Sequence, residues 1–94
     1  MPSMLVHHQV RGFAKWKPFS DKDETRRKSS GSKGSRVFQN PENPNDVFIL
    51  FEWDSLENAK KFSTSEDLIQ TMEQAGVTGQ PHMHFINEVQ KGKA

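Results

Sequence analysis

The chain has 94 residues, 32% of them hydrophobic, no cysteine and a formal net charge of +1. That length supports one domain with a lean core, and the missing cysteine excludes disulfides and thiolate metal sites, leaving association with a second copy as the supplement. A charge so near zero gives no general pull towards nucleic acid or anionic lipid.

The opening residues carry neither a basic leader nor a long apolar run. Neither a signal peptide nor a membrane span is expected from them, and a cytoplasmic location is the default. Residues 4–10 predict a first strand, broken by Gly12. Phe13, Trp16 and Phe19 recur at helical spacing, but Pro18 argues against a clean helix through that point. Ser20 then reads as an N-cap with Asp21 and Asp23 in the first turn, opening a helix that reaches about residue 30 and stops at Gly31. Residues 35–40 predict a second strand, and residues 47–53 a third. Between them, residues 41–46 hold two prolines and three polar turn formers, so the hairpin loop is expected to be longer than the tightest types. Asp54 or Ser55 caps a short helix holding Leu56, Ala59 and Phe62. Ser63 and Glu66 stand at capping-box spacing, which starts a further helical piece with Leu68, Ile69, Met72 and Ala75 that ends at Gly76. Residues 77–80 read as loop, Pro81 leads into a fourth strand over residues 82–89, and residues 90–94 read as a frayed tail.

The third strand is the most informative segment. Val47, Ile49, Phe51 and Trp53 project to one side, Phe48 and Leu50 to the other. A strand apolar on both sides needs cover on both. The element order β-α-β-β-α-β is the ferredoxin-like α+β pattern, a single domain over residues 1–94 with a four-stranded antiparallel sheet in the order 4-1-3-2. The third strand then lies inside the sheet. The chain's own helices cover one face, and the other is left for a partner.

In this order, His8-Gln9-Val10 followed by Trp16, the stretch Gly31-Ser32-Lys33-Gly34-Ser35-Arg36-Val37-Phe38, Asn43-Pro44-Asn45-Asp46 leading to Phe51-Glu52-Trp53-Asp54, and Ser65, Leu68, Met72, Ala75-Gly76-Val77 and Pro81 resemble the dimeric α+β barrel superfamily. The likeness is to the small antibiotic-biosynthesis-monooxygenase-like and cyclase-like proteins in particular, and covers roughly residues 5–89. It implies a homodimer in which two sheets pack through their open faces with the helices outside. Its members include cofactor-independent oxygenases of aromatic polyketides, haem-degrading enzymes and cyclases. The activity implied is an oxygenase or cyclase reaction on an aromatic or polyketide-like substrate, with no cofactor. A non-catalytic ligand-binding or assembly module on the same fold is the alternative. The Asn, Trp and His set of the haem-degrading members finds no matching positions, and the chain has no tyrosine.

Candidate site residues carry a plainer reading beside the functional one. His8 is expected to supply acid-base chemistry and to fall near His84 or His82 across antiparallel strands, with His84 a substrate contact. The plainer reading is a set of strand histidines bonded to backbone, and a metal site is disfavoured because no carboxylate or cysteine stands at ligand spacing. Trp16, Phe38 and Phe62 are expected to shape an apolar cavity, although such side chains are more often core, as Trp53 is. Six cationic residues between Lys22 and Arg36 face only Asp23 and Glu24, which reads as a solvated helix face rather than an RNA-binding one. Glu52, set in the apolar strand, is expected to pair with Arg36.

Overall fold

The computed structural model describes residues 2–93. The elements are β1 (Pro2–Val10), α1 (Phe13–Lys22), α2 (Glu24–Ser29), β2 (Ser32–Asn40), β3 (Asn43–Trp53), α3 (Leu56–Ser63), α4 (Glu66–Gln74) and β4 (Val77–Asn87). They form one antiparallel sheet in the order β2-β3-β1-β4. This is the expected ferredoxin-like arrangement, with each helical excursion split in two. No helix is long and apolar enough to cross a membrane.

Period-two alternation sets the core. Met4, Val6, His8 and Val10 of β1 and Val47, Ile49, Phe51 and Trp53 of β3 are buried beneath the helices. Trp53, fully buried, meets the Phe62 ring of α3 at 5.2 Å between centroids. Ser55 and Ser65 cap α3 and α4 by accepting from the backbone N–H groups of Asn58 and Leu68 at 3.1 and 3.3 Å. Gly31 ends α2 at φ +114°, and a Cβ there would lie 2.5 Å from Asp54 Oδ1, so the turn into β2 requires glycine.

Local chemistry departs from the sequence reading in several places, among them Ser63, which ends α3 with its hydroxyl donating to the Lys60 carbonyl and leaves the capping of α4 to Ser65. α1 runs unbroken through Pro18. The donor lost there is the one Ala14 would have accepted; both residues are exposed, so water can satisfy that carbonyl. Ser20 is therefore inside α1, and the break falls at Asp23, whose carboxylate binds Arg26 at 2.8 Å. The β2–β3 turn is only Pro41-Glu42, stiffened by Asn40 Oδ1 accepting from the Glu42 N–H at 2.9 Å. Residues 43–46 join β3, and Pro44 falls at the register shift, where it has no ladder partner to lose. β2 starts at Ser32 rather than Ser35. β4 takes in residues 77–81, because as an edge strand it tolerates Pro81, and it ends at Asn87. Residues 88 and 89, expected in the strand, and 90–93 of the expected frayed tail carry no regular structure, and Ala94 lies outside the described residues.

Glu52 points away from the helices, accepts from the Ser3 hydroxyl at 3.1 Å and stands opposite Gly34. The expected pair with Arg36 is not made among the described residues, because Arg36 stands opposite Leu50, two positions along the hairpin.

Candidate functional site

His8 sits where the β1–β4 ladder breaks. His7 pairs with His82 and Gln9 with Thr78, so Gly79, Gln80 and Pro81 together oppose His8 alone. Such a bulge re-aims a side chain, and Gly79 supplies the positive φ of +68° that it needs. The imidazole is 5% exposed on the helix side, edge-on to Trp16 at 5.6 Å between centroids. Its Nδ1 is buried without a hydrogen-bond partner. Burial pushes the His8 pKa below the ordinary imidazole value, and the nearby charge of His7 acts the same way. The ring's nearness to its own backbone opposes this without giving Nδ1 a well-formed bond. A neutral imidazole has one nitrogen lone pair that can take a proton.

His8 helps line a cavity of about 50 Å³ between sheet and helices, together with Met4, Val6, Trp16, Phe19, Phe51, Phe62, Leu68, Met72 and Met83. Asp23 and Arg27 are its charged lining residues. The volume suits a few small molecules the size of water, whereas organic ligands occupy hundreds of Å³. α4 supplies Leu68, Thr71 and Met72 at helical spacing to the cavity wall, and none of its residues is fully buried. It is the wall least anchored by packing.

The structure divides the expected site residues between the two faces of the sheet. His8, Trp16 and Phe62 surround the cavity. Phe38 and His84 do not: Phe38 pairs with Phe48 and His84 with Leu5, on the face turned away from the helices. The expected approach of His8 to His82 or His84 is also corrected, since alternation puts His8 on the opposite face from both. His7 is the histidine near His82, at 6.3 Å between centroids. Its ring stacks on Phe48 at 4.0 Å, and its Nε2 lies 2.6 Å from Asp46 Oδ1. This hydrogen bond is the main cause of the lowered pKa of Asp46, with Asn40 helping. No group of three metal-ligating side chains occurs among the described residues.

Arg27 was not foreseen. It is 7% exposed, in a segment that reads as a solvated basic face, because the break at Asp23 turns α2 inward. The signal that reveals it is the spacing Trp16, Ser20, Asp23, Arg27, one helical stripe interrupted by polar types.

No protein-family model matches the sequence, and no curated protein matches it. Solved structures do match. An antibiotic biosynthesis monooxygenase-like protein of Bordetella bronchiseptica superposes with a TM-score of 0.80 at 15% identity, over 95% of this chain and 97% of the other. SnoaB of Streptomyces nogalater, a cofactor-independent oxygenase, gives 0.78 at 9% identity, over 99% and 97%. The monooxygenase ActVA-Orf6 of Streptomyces coelicolor, solved in complex with nanaomycin D, gives 0.71 at 14%, over 99% and 91%. These likenesses span the sheet and both helical excursions, and they agree with the resemblance carried by the sequence. The chain has the fold of the antibiotic biosynthesis monooxygenase-like proteins.

Proposed function

We propose that the protein is a small-molecule enzyme, a cofactor-independent oxygenase or cyclase acting on an aromatic or polyketide-like substrate in the cavity beside His8. The observation that carries this reading is the buried imidazole, its pKa lowered and its Nδ1 unpartnered, among the residues that line a cavity walled by Trp16, Phe19, Phe51 and Phe62. In an oxygenase, Nδ1 takes a proton from a phenol or an activated C–H of the substrate. The electron-rich anion so formed is the species that dioxygen oxidises. In a cyclase the same proton transfer produces an enolate that attacks a carbonyl within the substrate. Trp16 and Phe62 hold the ring, and α4 moves outward to admit it. SnoaB and ActVA-Orf6 support the reading by sharing the fold.

The same proposal includes a homodimer. Leu5, Phe48 and Leu50 lie side by side on the face away from the helices, flanked by Phe38 and Ile86, which are 48% and 43% exposed. A second copy of this face is the cover whose chemistry matches it.

The small volume of the cavity favours one other reading, a non-catalytic binding or assembly module. An oxygen electrode separates the two. With a panel of hydroxylated anthracenes and naphthalenes, the enzyme reading expects at least one compound to be consumed faster than in buffer, with oxygen uptake or a cyclised product. No uptake and no product across the panel would favour the module.

A further inference from the structure

Besides His8, the cavity is lined by a cation, Arg27. The Arg27 guanidinium stands 5.2 Å over the centroid of Phe51 and donates one hydrogen bond, from Nη1 to the Ser20 carbonyl at 2.9 Å. A guanidinium carries five N–H donors and keeps its charge at any ordinary pH. Burial still costs it, and Asp23, Glu24 and Asp21 offset that cost only through space. Among the described residues no carboxylate lies within 4.0 Å of Arg27. Asp23 is held by Arg26 at 2.8 Å and Asp21 by Lys17 at 2.8 Å. None of the Arg27 nitrogens is both buried and unpartnered, so its remaining N–H groups stay open to solvent and free to take an anion.

Position adds to this. Arg27 lies over Phe51, whereas His8 pairs with Val47, four residues back along β3, a run of about 13 Å. Arg27 and His8 both line the cavity, so a ligand about one ring long would span from cation to base once α4 moves outward to widen the present 50 Å³. Arg27 also lines a second cleft of about 180 Å³, where Lys28 and Lys33 outnumber the one carboxylate, Glu24. An anion drawn to that cleft meets Arg27 as the shared wall.

We propose that the cavity ligand is an aromatic carboxylate, its carboxylate held by Arg27 and its ring directed towards His8. This rests on the reading of the cavity as the ligand site, and names the chemistry of what enters it. Charge-assisted pairing with a guanidinium fork gives affinity that an uncharged isostere lacks.

The test is a pair of probes of equal shape, benzoate and benzamide, titrated into the full chain and followed by the amide resonances of residues around the cavity. Benzoate is expected to bind about tenfold more tightly than benzamide. Arg27→Met is expected to bring that ratio to about one, and Arg27→Lys, a gentler change for folding, to reduce it severalfold. Equal affinities in the unmodified protein, or a preference that survives in both variants, would overturn the assignment of a carboxylate and leave the cavity reading standing. If neither probe perturbs the cavity resonances, both fall.

Discussion

Leu50→Arg is expected to abolish the proposed dimer while leaving the fold intact. Leu50 lies mid-sheet on the face away from the helices, opposite Leu5 on one side and Arg36 on the other. Its side chain has no part in the core beneath the helices, so the substitution costs the monomer little. In a two-fold interface the change appears twice, and each guanidinium must be stripped of water against apolar Leu5 and Phe48, at a cost of several kcal/mol per buried charge. Association should weaken by about two orders of magnitude or more. Light scattering at micromolar concentration should give about twice the chain mass of 10.8 kDa for the unmodified protein and the single mass for the variant. A monomeric unmodified protein would defeat the dimer.

His8→Gln is expected to lower turnover by about 10²–10⁴, the range a positioned acid-base group supplies. Glutamine keeps size and polarity but cannot take a proton. The pH profile carries the sharper signature. Because burial lowers the His8 pKa, the base is already free at neutral pH. The rate should therefore rise with pH only below about 6.5, through the lowered value, and be flat above it. Stability follows the same window. Between the lowered folded pKa and about 6.5 the unfolded chain binds a proton that the folded chain does not, so stability falls on acidification across that interval and levels off below it. The glutamine variant should lose both features. A rate and a stability profile unchanged by the substitution would return His8 to the role of a core residue.

Much of this architecture was readable from residue order because alternation is strong in the middle strands. Val47 to Trp53 fixed its own faces, and with them the side on which His8, Trp16 and Phe62 meet. The ladder break was not readable. It depends on three residues, Gly79 to Pro81, opposing one, and this segment reads locally as a loop. That same ambiguity left His8 unassigned to a face, so that a histidine cluster with His84 looked reachable. Phe38 was misplaced for a related reason: the hairpin turn is two residues rather than six, and turn length sets the register that decides which way each residue of β2 points. Arg27 needed tertiary information of another kind, since a cation in a basic run looks solvated until the helix break at Asp23 directs it inwards.

The central claim is that chemistry belongs to the helix side of the sheet, at the cavity bounded by His8, Trp16 and Phe62. Titration of the full chain with 1,8-dihydroxynaphthalene, followed by its amide and aromatic resonances, tests this most directly. The expected result is perturbation of His8, Trp16, Phe62 and the α4 residues Leu68 and Met72, with Phe38, Phe48 and His84 unmoved. Shifts confined to Phe38, Phe48 and His84, with the His8 side silent, would contradict it.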